Sequence, residues 1–466
     1  MRLQVLDNEI RYECHSCAAC CRQPWLEHVE DDKLGPVRGF NWGAKYPQLA
    51  GHDPILMAEV NGQQLPMLAK KDNGECLFLD SDNLCVIHKE LGYEAKPEAC
   101  RRFPFFSAPM PDADHISAHF ACPSVQEGSG PSIQEQRDDI LRTVPMSSPT
   151  RDTFTEVALL VGHLIPLEAA HALVDRWAGL FDPDQPGDLW ARFARAIHVA
   201  LQAVQTEPAS LRAALAEDGF GTVQNVPPFA RIDSLVDAPL PCRLLLALNL
   251  WNDYYPPQHS GARRPSWTTR MGLIGKVMHV LRMSGTYASR YLPGNVVLHR
   301  LSAPGFREAT PPEDVTRLLC RWVRAAFRQR TFRRDRISMV AGLHQQIVDA
   351  NCVHFYARAV ADQAGREHPQ PGDYHRALSI VGFGITSQVR AYQNVFRRRA
   401  MSLLESMDIG WSSLSMFCPV PLADASNRAG GAWPAEACPG ASGSSRTVGA
   451  RVPHSDWPGP DGPDLA

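Results

Sequence analysis

Four cysteines near the start of the chain lie at spacings that suit a metal ion. The motif reads Cys14-His-Ser-Cys17-Ala-Ala-Cys20-Cys21, and gaps of two residues let successive thiolates turn back onto one cation, as in zinc knuckles and ferredoxins. The residues between the cysteines are mostly small, which lets the sulfurs approach the metal. Because the side chains of adjacent residues usually diverge, we expect Cys20 or Cys21 to face a second metal or to remain a free, reactive thiol.

Four more cysteines follow within the first quarter of the chain. Cys76 and Cys85 flank the turn Asp80–Asn83, Cys100 precedes a pair of arginines, and Cys122 is followed directly by a proline. A proline after a ligand cysteine also occurs in ferredoxins, and it fixes the chain direction and removes a donor beside the sulfur. The predicted metal ligands are therefore Cys14, Cys17, Cys20, Cys21, Cys76, Cys85, Cys100 and Cys122.

Disulfides are the other common use of clustered cysteines. The segment Met1–Glu13 is polar and of mixed charge, without the apolar core of a secretory signal, so we expect a cytoplasmic protein whose thiols stay reduced. In such a chain, clustered cysteines predict metal binding before disulfides. Burial as apolar filler is the simplest alternative, but filler cysteines have no reason to fall at ligand spacings. The other five cysteines are scattered singly, at Cys242, Cys320, Cys352, Cys418 and Cys438.

The number of thiols leaves the identity of the metal open. Eight thiolates suit two four-coordinate zinc ions, or one four-cysteine iron–sulfur cluster with extra thiols. His15, His88 and His119 could replace a thiolate, although a lone histidine near a metal more often orients a ligand or faces solvent. Arg101 and Arg102 could offset the negative charge of four thiolates, or form a solvated basic pair.

The order of these motifs carries a family resemblance. Residues 11–124 contain Cys-x2-Cys-x2-Cys-Cys, then Cys-x-Phe-Leu, Cys-x-Ile, Pro-x2-Cys-Arg-x-Phe-Pro and a last cysteine. This order resembles the CxxCxxCC family of zinc- or iron-chelating proteins, which includes YkgJ-like cysteine-cluster proteins and flagellin lysine N-methylases. The resemblance implies a chelated metal, either zinc or an iron–sulfur cluster. Lys96 stands where we expect arginine, and His88 where we expect tyrosine, but neither departure removes a thiolate.

The elements that position these cysteines divide the chain into three parts. Residues 1–130 are rich in loops and predict a small cysteine-cluster domain stabilised by metal. Residues 131–418 predict a larger all-α domain, so the expected fold class is mostly α. Residues 419–466 are dominated by Ala, Gly, Pro and Ser and predict a disordered tail. Within the first part, Val60–Leu68 predicts a hairpin, and the segments around Cys76 and Cys85 predict two short strands.

Apolar positions at helical spacing predict the helices of the second part. One start signal is clear, because Thr310-Pro-Pro-Glu313 offers a threonine cap, a proline at the first helical position and a glutamate at the capping-box position. The predicted helical segments are Phe154–Phe181, Leu189–Val204, Ser210–Leu215, Pro241–Tyr255, Thr268–Tyr287, Glu313–Arg330, Ile337–Ala364 and Tyr374–Met407.

The charge balance limits the classes of partner. The chain has 47 basic and 50 acidic residues and a net charge of −3, which gives no general argument for nucleic acid. No apolar run is long enough to span a membrane. A protein substrate or partner remains possible, and the sequence leaves the oligomeric state open. The arginines at 321, 324, 328, 330, 333, 334 and 336, and those at 397–399, predict a solvated face, a docking surface for the acidic first part, or a phosphate-binding patch.

Four functions fit this combination of parts. The first is a metal-binding cysteine-cluster protein, and the second, from the resemblance, is a protein lysine N-methylase of the flagellin type. The third is a non-catalytic scaffold whose zinc only holds the first domain together, and the fourth is redox electron transfer, which needs iron. The sequence has no P-loop, no Gly-x-Gly-x-x-Gly and no Cys-x3-Cys-x2-Cys motif. Whether the protein is an enzyme, as a methyltransferase or a redox protein, therefore stays open.

Overall fold

The computed structural model describes residues 3–5, 9–23, 27–60, 63–109, 114–143, 155–185, 187–217, 238–254, 267–289, 291–301, 311–329 and 338–386, with single residues at 220, 404 and 413. Several predicted features lie outside these residues: the tail 419–466, Cys418 and Cys438, the cap Thr310, and the arginines at 330–336 and 397–399.

Helices dominate the described residues, as the sequence predicts. None of the described helices combines the length and the apolar character that crossing a bilayer requires. The helices span Asp31–Gly39, Trp42–Lys45, Val86–Leu91, Glu98–Arg102, Pro123–Glu127, Arg137–Thr143, Leu167–Leu180, Leu189–Gln205, Leu211–Ala216, Leu240–Tyr254, Trp267–Arg282, Leu298–Leu301, Glu313–Arg328, Met339–Gln363 and Pro371–Ile380, with 3-10 turns at Pro47–Leu49 and Tyr93–Ala95 and a π-helical turn at Val381–Thr386.

Within the described residues, nine short strands accompany the helices. They form one three-stranded sheet in the order β1-β5-β4, in which β1 runs parallel and β4 antiparallel to β5, and three antiparallel hairpins, β2-β3, β6-β7 and β8-β9. The strands are β1 (Leu3–Val5), β2 (Ile55–Val60), β3 (Gln63–Leu68), β4 (Phe105–Pro109), β5 (Asp114–Ala118), β6 (Glu156–Leu160), β7 (His163–Pro166), β8 (Thr286–Ala288) and β9 (Asn295–Val297).

The prediction that residues 131–418 are all-α is wrong at two hairpins. The β6-β7 hairpin occupies the first half of the predicted helix Phe154–Phe181, because Gly162 takes a φ of +80° that turns the chain back. The predicted helix Thr268–Tyr287 stops at Arg282, since Met283 and Gly285 also have positive φ. The short apolar runs at these places do not distinguish strand from helix by periodicity alone.

Three local predictions in the sequence also need correction. The hairpin predicted within Val60–Leu68 exists, but its first strand is β2, which lies upstream. The segments around Cys76 and Cys85 form isolated bridges, and the residues that follow Cys85 turn into the helix Val86–Leu91. Lys89 of that helix reaches back to Asp80 and Asp82 of the preceding turn, which favours the helical path. The helix at Glu313 begins after Pro312 as its cap rather than after a threonine.

Two clusters of buried apolar side chains organise the described residues. The head cluster contains Ala18, Val29, Val37, Trp42, Leu49, Ile55, Leu68, Ala69, Cys76, Leu77, Phe78, Leu79, Val86 and Ile87. The body cluster is much larger and includes residues from Ile10 to Leu404, among them fourteen of the 25 residues of the central helix, Met339–Gln363. Phe105, Ile116 and Cys122 belong to the body cluster. The sheet that follows Cys100 therefore packs with the helices, and the predicted domain boundary at residue 130 stays a prediction.

Polar contacts join the acidic first part to the basic helix Glu313–Arg328. Arg324 pairs with Glu9 at 3.0 Å, and Arg321 donates to the backbone carbonyl of Gln126. The Gln126 side chain in turn bonds His375 at 2.9 Å and Ser379 at 2.9 Å. Of the three roles predicted for the arginine run, docking onto the first part is confirmed for these two arginines.

Candidate metal-binding site

The loop of residues 14–21 folds back on itself. Ser16 and Ala18 have φ values of 52° and 57°, in the left-handed region that non-glycine residues rarely adopt. The backbone N–H groups of Cys21 and Arg22 both donate to the carbonyl of Ala18, at 2.9 and 3.1 Å. This turn brings the sulfurs of Cys20 and Cys21 to within 3.9 Å of each other. Contrary to the expectation for adjacent side chains, these two do not diverge.

Arg22 connects this loop to both motifs of the next cysteine pair. Its guanidinium donates to the carbonyl of Cys17 at 2.9 Å, to the Glu75 carboxylate at 3.1 Å and to the Asn83 side chain at 2.5 Å. Glu75 precedes Cys76, and Asn83 lies in the turn before Cys85. The planar donor fork of arginine suits three such acceptors. Sequence reasoning missed this residue, and its position next to Cys21 was the only available signal.

One set of four thiols gathers against the head cluster, and we call these cysteines the inner thiols. Cys76 is part of that cluster, and Cys21, Cys85 and Cys100 pack on it. The Cys76 backbone N–H donates to the Cys21 carbonyl at 2.7 Å, and Leu79 pairs with Cys85 in an isolated bridge. Cys100 interacts electrostatically with Cys76 and Cys85. The inner thiols are Cys21, Cys76, Cys85 and Cys100.

The other four thiols lie where the first loop meets the short helix Pro123–Glu127, and we call them the outer thiols. Cys122 caps that helix and is buried in the body cluster. His15 fixes the loop there, because its backbone N–H donates to Ser124 at 3.3 Å and its ring lies 2.9 Å from the Glu127 carboxylate. Cys122 interacts electrostatically with Cys17, and the Tyr12 side chain with Cys14, Cys20 and Cys122. The outer thiols are Cys14, Cys17, Cys20 and Cys122, of which the first three are exposed.

Burial holds the inner thiols in their protonated form at neutral pH. Burial raises the pKa of Cys76 to about 12 and also raises the pKa of Cys85 and Cys100. The pKa of Cys21 is raised first by its hydrogen bond with Cys20 and then by burial. Because thiolates are the metal-binding form, an ion that binds here must displace protons.

Positive charges and backbone amides oppose this effect of burial. Lys96 lowers the pKa of Cys21, Cys85 and Cys100, and Lys70 that of Cys21 and Cys76. The backbone at Ile87 and His88, in the first turn of the helix Val86–Leu91, also lowers the pKa of Cys85. These groups stabilise the thiolate form that a cation requires.

Similar amide contacts support Cys122 among the outer thiols. Burial raises the pKa of Cys122 to about 11, while the backbone N–H groups of Val125 and Ser124 lower it. Burial is also the largest of the causes that raise the pKa of Tyr12 beside these thiols.

The histidines and arginines that were considered as possible ligands or charge partners of the metal contact other side chains. The His119 ring contacts the Phe106 ring at a tilt of 38°, with centroids 4.4 Å apart, and the His88 ring lies 5.8 Å from that of Tyr93. Arg101 binds Glu94 at 2.6 Å and Arg102 lies 3.8 Å from Glu98. The cations that act on the thiols are thus Lys70 and Lys96, which sequence reasoning did not single out as charge partners.

All eight predicted ligands are free thiols, and sulfur donors of this kind suit zinc and iron. Four of them pack on or within the head cluster, whereas Cys14, Cys17, Cys20 and Cys122 do not. Within the described part of the chain, no three His, Cys, Asp or Glu side chains stand close enough together to hold an ion. Coordination by these thiols therefore requires the sulfurs to move toward one another.

Comparison with known proteins identifies the region that contains these thiols. Residues 13–158 match the family model described as "CxxCxxCC: Putative zinc- or iron-chelating domain", and this range includes all eight cysteines. No curated protein and no solved structure matches the chain. The helices that follow residue 158 lie outside the match. Residues 13–158 of this chain are therefore similar to a zinc- or iron-chelating domain of the CxxCxxCC family.

Proposed function

We propose that this chain is a YkgJ-like, cytoplasmic metal-binding protein whose eight N-terminal thiols chelate zinc or iron. The observation that carries the proposal is the position of the 14–21 loop. At one end, Cys21 accepts a backbone hydrogen bond from Cys76, and at the other, His15 contacts the helix that Cys122 caps. The 14–21 loop thus contacts the regions of both Cys76 and Cys122, and Cys122 lies 108 residues after Cys14 in the sequence. Packing of the apolar core alone does not require sulfur at these positions.

A structural role for the metal follows from the small size of the head cluster. Its buried side chains number fourteen, and four thiols pack on or within it. Small domains of this kind commonly need a metal or disulfides, and thiolate-bound zinc can supply most of their folding energy. The inner thiols are therefore the better candidates for a metal that holds the domain together.

The second candidate function is protein lysine N-methylation, and the exposure of the outer thiols favours it. Cys14, Cys17 and Cys20 are open to solvent, and they lie beside the contacts that join the first part to the helical body. A centre at such a junction is accessible to a protein substrate. The matching experiment measures methyl transfer from S-adenosylmethionine to a lysine-rich acceptor, which must be lost in Cys17→Ser if the outer thiols take part.

Metal analysis of protein purified without oxygen tests the main proposal. We expect bound zinc in a colourless protein, or iron and sulfide in a brown one, and loss of that metal when all eight cysteines are replaced by serine. Replacement of the buried body cysteine Cys320 by alanine is the matched control and should leave the metal content unchanged. Metal-free protein in which the head is folded, or equal metal loss in the control, would contradict the proposal.

A further inference from the structure

We propose that Cys20 and Cys21 form a modification site, at which a peroxide oxidises the two adjacent thiols to a disulfide that excludes metal from both sulfurs. The oxidation itself follows from the geometry of the 14–21 loop. Its effect on metal rests on the proposed metal-binding function.

The sulfurs of Cys20 and Cys21 are in contact. They lie 3.9 Å apart, and an S–S bond is about 2.05 Å long, so a disulfide requires an approach of about 2 Å. Rotation of the side chains, with an adjustment of the peptide that joins the two residues, supplies this approach without moving another element of the fold.

Backbone hydrogen bonds hold the turn that brings the two thiols together. The Ala18 carbonyl accepts the N–H groups of Cys21 and Arg22 at 2.9 and 3.1 Å, and the Cys21 carbonyl accepts the Cys76 N–H at 2.7 Å. Ala18 has a φ of 57°, so the chain bends sharply just before the pair. These contacts fix the backbone of Cys21 at both its N–H and its carbonyl, beside Cys20.

The two thiols differ in their access to solvent. Cys20 is exposed, whereas Cys21 is half-buried against the head cluster. A peroxide in solution therefore reaches the Cys20 sulfur first, and Cys21 is the second thiol, which resolves the product. An exposed cysteine next to a resolving cysteine is the usual arrangement of a redox-sensitive site.

The oxidation takes place in two steps. The Cys20 sulfur attacks the O–O bond of hydrogen peroxide, which gives a sulfenic acid and releases one water. The Cys21 sulfur then attacks the sulfur of this sulfenic acid. The S–S bond forms, the S–O bond breaks, and the hydroxyl leaves with the thiol proton as a second water. In total, two thiols are oxidised to one disulfide while one peroxide is reduced to two waters.

The adjacency of the two residues predicts that this disulfide is readily reversed. Neighbouring Cα atoms lie about 3.8 Å apart across a trans peptide, which is closer than the separation of about 4.4–6.8 Å that disulfides usually have. The strain makes such a bond easier to reduce. A thiol reductant should therefore restore both cysteines.

The disulfide and a bound metal compete for the same sulfurs. Metal ions bind cysteine as the thiolate, a form that neither sulfur of a disulfide can take. Oxidation thus removes two of the eight candidate ligands, whereas a metal already bound to Cys20 and Cys21 withholds them from peroxide. Peroxide should therefore lower the uptake of metal, and a thiol reductant should restore it.

Peptide mapping of the full chain tests the oxidation. The chain is stripped of metal with a chelator and treated with a stoichiometric amount of hydrogen peroxide, and the thiols that remain are alkylated. Trypsin releases residues 12–22 as one peptide that contains Cys14, Cys17, Cys20 and Cys21. Tandem mass spectrometry should show a disulfide between Cys20 and Cys21, with Cys14 and Cys17 alkylated.

Two variants distinguish this disulfide from other pairings. Cys20→Ser should leave Cys21 as a free thiol that is alkylated. Cys17→Ser is the matched control for disulfide formation, because it removes a nearby exposed thiol and should still form the Cys20–Cys21 disulfide at the wild-type rate. A disulfide between Cys17 and Cys20, or a sulfinic acid at Cys20 beside a free Cys21 thiol, would overturn the proposal.

Zinc separates the oxidation from the function. The zinc-loaded chain should form the disulfide at least about tenfold more slowly, because thiolates bound to a metal are not free to attack peroxide. An equal rate with and without zinc would overturn the competition. If the disulfide forms in a chain that binds neither zinc nor iron, the oxidation site stands and the proposed function fails. If the chain binds metal but forms no such disulfide, the oxidation site fails and the proposed function stands.

Discussion

The head cluster and the body cluster reach stability by different means. The head cluster has fourteen buried side chains and is flanked by helices of four to nine residues, which are too short to be stable on their own. The body cluster surrounds a helix of 25 residues that is buried almost along its whole length. From this difference we expect the body to fold through apolar packing and, if the proposed function holds, the head to depend on a metal bound by its thiols.

Removal of the metal should produce the largest difference in stability between the head cluster and the body cluster. With all metal stripped by excess chelator, backbone amides of the helix Val86–Leu91 should exchange hydrogen at least about a thousandfold faster, because thiolate-bound structural zinc contributes on the order of 10 kcal/mol. Amides of the central helix should keep their protection. Hydrogen exchange with mass spectrometry measures both in one sample.

The control for this experiment is chelator saturated with zinc, which should change neither region. Equal loosening of the central helix would show that the clusters fold as one unit. Unchanged protection of Val86–Leu91 in metal-free protein would show that the head does not depend on metal.

A matched pair of core substitutions, one in each cluster, compares the stability of the head and the body through a smaller expected effect. Phe78 in the head and Phe355 in the body are both fully buried, and removal of a buried phenylalanine ring costs about 3–5 kcal/mol. Phe355→Ala should lower the free energy of unfolding of the body by this amount with or without metal. Phe78→Ala should destabilise the head only while metal is bound, since without metal that region has no folded structure to lose. Denaturant unfolding followed by hydrogen exchange gives both values, and a metal-independent effect of Phe78→Ala would contradict the proposed difference.

The contrast between the clusters also explains which features the sequence could predict. The candidate ligand cysteines were predicted from local spacing, because short gaps between thiols have few other uses. Their division into two sets was not predicted, since Cys122 joins Cys17 only through the packing of the helix Pro123–Glu127 onto the body. The hydrogen bonds of Arg22 depend in the same way on Glu75 and Asn83, which lie more than 50 residues away in the sequence. Contacts of such long range leave no periodic trace in a single sequence.

The helical body was predictable where the apolar spacing was long and regular. Met339–Gln363 was expected at Ile337–Ala364, and Leu189–Gln205 at Leu189–Val204. The β6-β7 hairpin was not predicted, because a short run of apolar residues is compatible with a strand as well as with a helix. In this segment, Gly162 with its positive φ is the residue that marks the turn.

The smallest predicted effect is a pH dependence confined to the body. Burial lowers the pKa of His344 to about 4 and that of His354 to about 3, whereas the head histidines His28, His52 and His88 are exposed. Below the ordinary histidine pKa of about 6.5, the unfolded chain binds protons that the folded body does not bind. Stability of the body is therefore complete above pH 6.5 and is lost as the pH falls toward these lowered values, by about 2 kcal/mol per histidine at pH 5.

The variant His354→Phe isolates this effect from the protonation of metal-bound thiolates in the head. Phenylalanine can preserve the aromatic contacts of His354 with Trp190 and Tyr374, whose ring centroids lie 5.0 and 5.3 Å away, but it cannot take up a proton. Hydrogen exchange of the central helix between pH 7.5 and 5 should therefore depend less on pH in this variant, once corrected for the intrinsic rate. His299→Asn, which changes an exposed histidine of the body, should leave the wild-type dependence intact. An unchanged slope in His354→Phe would mean that the central helix opens through a step that leaves His354 buried, and the body would then not unfold as a single unit.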